Sequence, residues 1–218
     1  MIATWYRKSA SFLPSDLANL AAWFRLGVGI TTATGVSQWD DQSGNGRHLK
    51  QGTGANQPAL QGDNTILFDG SAHYLKCDAF TLNQPTTIYI LFKQVSWTAN
   101  DVVYDGNTVN VQLLWQRTAS PGMMIYAGTN SSVNNNLAVG TYGSVAAVYN
   151  GANGVFQINN TTPLTGNYGA VNAAGFTLGA TGTPVASFGN IQVKEVIIYA
   201  AAHDQTTRDQ VIAYLGTL

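Results

Sequence analysis

The sequence predicts an all-β protein, a sandwich or a barrel, from three observations. Charge is scarce: 10% of the 218 residues are Asp, Glu, Lys or Arg, against about 25% in an average globular chain. Exposed helix faces normally draw on Glu and Lys, yet this chain has a single glutamate, Glu195. Turn formers abound, with 23 glycines among many Asn, Thr and Ser. Short runs of β-formers follow one another without intervening helical segments, the pattern of a sandwich or barrel rather than an α/β sheet. The 45% hydrophobic content suffices for one core. Composition does not shift along the chain, so residues 15–218 read as one domain behind an arm at 1–14.

In that arm Trp5, Tyr6 and Phe12 are apolar, Arg7 and Lys8 are basic, and Pro14 closes the segment. It reads equally as a first strand packed on the domain or as an anchor for a partner. Leu17, Leu20, Ala21 and Phe24 have helical spacing behind Ser15, a candidate N-cap, so a short helix is expected that becomes extended near Trp23–Leu26. Gly27 to Asn64 is polar and should form loops with short strands.

Strands are then expected at Ile66–Phe68, Thr86–Val95, Val102–Tyr104, Val109–Arg117, Met123–Ala127, Gly143–Tyr149, Val155–Asn159, Phe176–Leu178 and Ile191–Tyr199. Thr86–Val95 is nearly continuous in β-formers, as in a strand buried on both faces. In Val109–Arg117 the alternation puts Val111, Leu113 and Trp115 on one face and assigns Trp115 to the core. Asn150-Gly151-Ala152-Asn153-Gly154 is a hairpin turn, since Asn and Gly accept positive φ. Asp204 caps a final helix over about 205–215, with Val211, Tyr214 and Leu215 inward and Gly216 at its end.

Composition also excludes function classes. A net charge of −1 gives no basic footprint for nucleic acid. The lone Cys77 rules out an intrachain disulfide and a cysteine zinc site. No run approaches the roughly 20 apolar residues of a membrane span. MIATWYRKSASFLPSDL lacks the apolar core of a secretory signal, so synthesis without export is expected.

Several segments succeed one another in a familiar order. Leu20-Ala21-Ala22-Trp23-Phe24 is followed by Trp39-Asp40-Asp41-Gln42-Ser43-Gly44-Asn45-Gly46-Arg47-His48, then Ala55-Asn56-Gln57-Pro58 and Leu67-Phe68-Asp69-Gly70 with Tyr74-Leu75. Val193-Lys194-Glu195-Val196-Ile197-Ile198-Tyr199 then precedes the capped helix. This order resembles the laminin-G-like, concanavalin A-like lectin/glucanase jelly roll, more narrowly its versions in bacteriophage structural proteins and bacterial surface proteins. The resemblance implies two antiparallel sheets packed face to face, a two-sheet β-sandwich with a short C-terminal helix. It further implies a lectin-like decoration or adhesion protein of a bacteriophage virion, on capsid or tail. There the 1–14 arm, through Trp5, Tyr6, Arg7 and Phe12, would attach to other virion proteins. The alternative is a stand-alone carbohydrate-binding module, and the third reading is a polysaccharide depolymerase. Low charge suits close packing of copies, so a homo-oligomer is compatible.

The catalytic motifs that the resemblance implies do not match this sequence. The fold's retaining glucanases resemble one another in Glu-x-Asp-x-x-Glu, whose two carboxylates act together; no acid stands two or four residues from Glu195. Its lyases resemble one another in Gln-x-His, whereas His48, His73 and His203 follow Gly46, Ser71 and Ala201. No Gly-x-Ser-x-Gly elbow, Walker A loop or His-Glu-x-x-His occurs. The expectation is therefore no enzyme and no organic cofactor. Related jelly rolls hold calcium through loop oxygens; Asp40, Asp41 and Asn45 are the candidate ligands for a structural calcium, with Asp63 and Asp69 as second contributors. For a surface glycan, aromatic faces beside amides are needed, and Trp97, Tyr104, Asn107, Tyr126 and Asn130 are the candidates.

Overall fold

The computed structural model describes residues 12–184 and 186–218. Among these, the strands in chain order are β1 (Leu20–Phe24), β2 (Ile30–Thr32), β3 (Val36–Trp39), β4 (Leu49–Lys50), β5 (Ala59–Leu60), β6 (Ile66–Asp69), β7 (Leu75–Lys76) and β8 (Thr86–Gln94). They continue with β9 (Val102–Asp105), β10 (Leu113–Gln116), β11 (Met123–Tyr126), β12 (Tyr142–Tyr149), β13 (Gly154–Ile158), β14 (Leu164–Gly166), β15 (Thr177–Leu178) and β16 (Asn190–Tyr199). One helix, α1 (Gln205–Leu215), ends the chain.

The strands form two sheets, and every strand pair is antiparallel. The first runs β14-β13-β12-β8-β16-β6-β5. β6 pairs with the N-terminal half of one edge of β16, and β1 with the C-terminal half of the same edge. The second runs β11-β10-β9-β15-β7-β4-β3-β2. The two-sheet sandwich expected from the sequence is thus present.

The sheets enclose an aromatic core. Phe24 lies 5.8 Å from Trp39 and 6.4 Å from Phe176, and Tyr104 lies 5.4 Å from Phe176, between ring centroids. The Tyr104 and Tyr149 hydroxyls meet at 3.1 Å across the core, and Tyr149 also donates to the Leu113 carbonyl at 3.0 Å, so these two buried hydroxyls have partners.

A third layer covers the outer face of the first sheet. Trp23, Tyr89, Leu91, Ala146, Ile197 and Tyr199 pack beneath Val211, Ile212 and Leu215 of α1. β8 therefore alternates between two apolar environments, with Ile88, Ile90 and Phe92 toward the core and Tyr89 and Leu91 toward the helix. That is why its sequence is continuously apolar. In β16 a register shift between Val193 and Glu195 inverts the alternation. Ile191 and Val193 face the core, but Glu195, Ile197 and Tyr199 face the helix layer. Without the shift the lone glutamate would point into the main core. α1 begins as its sequence predicts: Asp204 accepts the Thr207 N–H at 2.8 Å.

Two expectations are corrected. Residues 15–26 do not start a helix; a single 3-10 turn at Pro14–Asp16 leads into strand β1. Ala21, Ala22 and Phe24 enter the main core while Trp23 enters the helix layer, so burial on both faces imitated helical spacing. The second correction is the length of β10, which spans Leu113–Gln116 rather than 109–117. Asp105 draws residues 106–111 into a loop by accepting the N–H groups of Gly106, Asn110 and Val111 at 2.8, 2.8 and 3.0 Å.

Candidate functional site

The outer face of the second sheet carries no helix layer among the described residues. Leu75 flanks Lys76 from the core side, and Leu49 and Phe176 do the same for Lys50 and Thr177. The strand register therefore sets Asp105, Thr177, Lys76, Lys50 and Gln38 in one row across this face. Trp115 stands on the same face, paired with Val102 on one side and Met124 on the other.

Two hollows open there, separated by one contact. The Lys76 ammonium donates to the carbonyls of Asn107 and Gly182 at 3.0 and 2.5 Å, tying together the loops that follow β9 and β15. Asp105 adds to this tie by accepting the Gly182 N–H at 3.1 Å. Its carboxyl is raised by burial, against the pull of four backbone N–H donors. On one side is a hollow of 270 Å³ walled by Asn100, Val102, Val109, Trp115, Thr181 and Ser187, among others. On the other is one of 430 Å³ that includes Lys50, Tyr74, Lys76, Asp78 and Asn107.

The first hollow concentrates unusual features. The indole N–H of Trp115 is buried and has no partner, whereas buried polar groups are normally paired. Asn100, Asn110 and Ser187 adopt left-handed backbone at φ 77°, 59° and 59°, and all three line it. Non-glycine residues in that region tend to gather where geometry is held for function. The guanidinium of Arg117 lies over the Trp115 ring at 4.6 Å and donates to Oδ1 of Asn100. In the second hollow the Asn107 Oδ1 is also buried and unpartnered. Its side chain fits because Gly175 (φ 137°) has no Cβ, which would lie 2.8 Å from the Asn107 Cβ.

The sequence-derived glycan candidates scatter. Asn107 lies in the second hollow. Tyr126 is half-buried on the outer face, opposite Leu113 in β11, and Asn130 is exposed and bridged to it. Trp97 is half-buried at the strand end with its N–H donated to the Gly122 carbonyl at 3.0 Å. Tyr104 is corrected: it is fully buried between the sheets, where no ligand can stack. Trp115, assigned to the core from alternation, is corrected in the opposite direction. Val111 turns inward from a loop that precedes the strand, so it does not share the Trp115 face. No signal in the sequence marks that change of phase, because it depends on Asp105 and its loop.

The candidate calcium residues form a turn scaffold. Asp41 accepts the N–H groups of Trp23, Ser43 and Arg47 and the Ser43 hydroxyl, at 2.8–3.0 Å. Asp40 instead accepts from Gln38 at 2.7 Å and lies 3.2 Å from His48. Asn45 donates its amide to the Leu20 and Ala21 carbonyls. Asp69 likewise accepts three N–H groups and the Ser71 hydroxyl, and Asp63 accepts from Thr65. These oxygens point at protein donors rather than toward a common centre, which does not fit a calcium cage. Among the described residues no three acidic, His or Cys side chains converge as metal ligands.

Of the arm, Trp5, Tyr6 and Arg7 lie outside the described residues. Phe12 packs edge-on against Tyr214 at 6.0 Å and walls a 490 Å³ groove beside α1 with Leu13, Arg25 and Leu218. Beneath it Glu195 is fully buried and accepts from Trp23 Nε1 and the Tyr214 hydroxyl, both at 2.7 Å, and from the Leu26 N–H at 3.2 Å. Burial raises its carboxyl above the usual range, against those hydrogen bonds. Through Trp23 and Leu26 on one side and Tyr214 on the other, this glutamate joins sheet and helix. No helix among the described residues is long and apolar enough to cross a membrane.

No protein-family model matches the chain, and no curated protein sequence matches it. Solved structures do share the fold. Trypanosoma rangeli sialidase is similar at a TM-score of 0.66 and 11% identity, over 90% of this chain and 33% of that one. An arabinofuranosidase complexed with arabinofuranosyl-α-1,2-xylobiose is similar at 0.60 and 14%, over 83% and 50%. The binding domain of Botulinum neurotoxin DC, in complex with rat synaptotagmin II, is similar at 0.63 and 10%, over 93% and 52%. The chain spans about a third of the sialidase and half of the other two. At such identities the likeness is one of β-sandwich fold. It nevertheless corrects the expectation of no enzyme: structures of this fold include two glycosidases. The missing glucanase and lyase motifs therefore do not exclude an enzyme.

Proposed function

We propose that this β-sandwich binds carbohydrate at the outer face of its second sheet, in the hollow built around Trp115. The observation that supports this most directly is the buried, unpartnered Trp115 N–H in a hollow bordered by amides and hydroxyls. Indole, amide and hydroxyl groups are those that saccharides engage, through an apolar ring face and a ring of hydroxyls. Two of the structural neighbours are glycosidases by name, one of them complexed with an oligosaccharide. The sequence resemblance adds a narrower version, adhesion or decoration on a bacteriophage particle; the neighbouring genes test that part.

A glycan array probed with the 218-residue chain tests the reading. Reproducible binding is expected, and Trp115→Ala is expected to abolish it while the thermal melt stays cooperative. Binding that survives Trp115→Ala, or a blank array, overturns it.

A further inference from the structure

The Trp115 hollow is walled by indole, amide, hydroxyl and apolar groups, and Arg117 stands at its edge, against two of its walls, Trp115 and Asn100. Indole nitrogen and guanidinium donate and cannot accept. Arg117 donates to the Asn100 Oδ1, so that acceptor at the edge of the hollow is already engaged. Thr181 and Ser187 add hydroxyls, and none of the residues lining this hollow is acidic. Arg117 itself is half-exposed, lies over the Trp115 ring, and forms no ion pair among the described residues. The other cations of this face are differently placed: Lys50 is paired with Asp78 at 2.9 Å, and Lys76 is held by two carbonyls. A neutral sugar could use the amides and hydroxyls of the walls but would leave the guanidinium at the edge without an anion. A carboxylate or sulfate offers acceptors alone and matches the fork of a guanidinium.

We infer that the hollow takes an acidic saccharide, with Arg117 as the residue that reads its carboxylate or sulfate group. This rests on the carbohydrate-binding reading and sharpens it to a substrate class. The position over Trp115 and the bond to Asn100 hold the guanidinium in place, so the anion would meet a preorganised partner rather than a free side chain. Arg117 is a specificity residue here, and Trp115 its platform.

Two matched pairs of polymers test this by affinity electrophoresis and calorimetry: polygalacturonate against its methyl ester, and dextran sulfate against dextran. Within at least one pair the acidic member should bind the full chain about tenfold tighter than the uncharged one, the worth of one charge-assisted hydrogen bond. Arg117→Gln should remove that preference, and Arg117→Lys should restore little of it because the fork is lost. Lys50→Gln, which alters charge on the same face outside this hollow, should leave it intact. The two pairs also separate carboxylate from sulfate. The inference falls, while the carbohydrate reading stands, if neutral glycans bind as tightly in a Trp115-dependent way. It also falls if Lys50→Gln costs as much as Arg117→Gln, because general charge attraction would then suffice. If no glycan of the array and no polymer binds, both readings fall.

Discussion

The outer faces of the two sheets treat polar groups in opposite ways. On the first sheet, under α1, each buried polar group described above has a partner. Glu195 holds two side chains and a backbone N–H. The Tyr89 hydroxyl meets His203 Nδ1 at 2.8 Å, and Arg208 joins the His203 carbonyl, Gln157 and Gln205. On the second sheet Trp115 Nε1 and Asn107 Oδ1 are buried without partners. Unpaired buried groups cost stability; they also occur elsewhere, as at the Tyr142 hydroxyl in β12 and the Tyr168 hydroxyl in the core, but Trp115 and Asn107 are the two that line the hollows of the open face, where a ligand could supply the missing bonds. Satisfied networks hold the molecule together, and the unsatisfied groups of the open face are what it offers to another molecule.

Breaking the satisfied side should have the largest effect. Glu195→Ala strands the Trp23 N–H and the Tyr214 hydroxyl in a dry layer and opens a cavity. A loss of about 3–5 kcal/mol is expected, the scale for dismantling a buried charged network. Urea unfolding measures it, and a loss below 1 kcal/mol would mean that the network contributes little. Glycan binding by the remaining folded protein should be unchanged.

The pH dependence of the same layer is the next largest. Burial lowers the pKa of His203 to about 4, with Asp204 opposing and Arg208 adding to the effect. In the unfolded chain this histidine titrates near its ordinary 6.5. Between those values the unfolded state binds more protons, so stability is full above pH 6.5 and falls as pH drops toward 4. Allowing for partial solvation, the loss attributable to this group is about 2–3 kcal/mol. His203→Gln should remove that part of the acid slope in melts collected from pH 7 to 4. An unchanged slope would show that the histidine charges freely where it stands.

The layered side was also the more legible in the sequence. Asp204 as cap, the α1 face of Val211 and Leu215, and the continuous β8 run all follow from local periodicity. The sandwich itself was legible because strand runs and Asn-Gly turns are local signals. Tyr104 was misassigned because its chemistry suits a ligand platform as well as the core it enters, and Trp115 because its facing depends on where β10 begins. That was set by Asp105 reaching N–H groups up to six residues away, and by a register shift between Leu114 and Trp115. Strand β1 read as helical because its two faces enter two different cores. Arg117 over Trp115 was within reach of the sequence, the two standing only two residues apart at the end of β10, but only the packing shows the guanidinium over the ring and without an ion pair among the described residues.

The smallest effect separates the two faces most cleanly, because one substitution can be made on both. Trp→Phe keeps an aromatic ring and deletes one N–H. At Trp23 that N–H is bonded to Glu195 at 2.7 Å in a buried layer, so Trp23→Phe leaves a carboxylate short of a donor and should cost about 2 kcal/mol. At Trp115 the N–H has no partner to lose, and the ring is only half-buried. Trp115→Phe should therefore change stability by no more than about 0.5 kcal/mol, while weakening glycan binding to the extent that the indole N–H meets the ligand. Equal losses of stability at both sites, measured by parallel denaturant titrations, would show that the Trp115 N–H is satisfied within the folded chain. The open face would then hold its polar groups for the fold, as the covered face does.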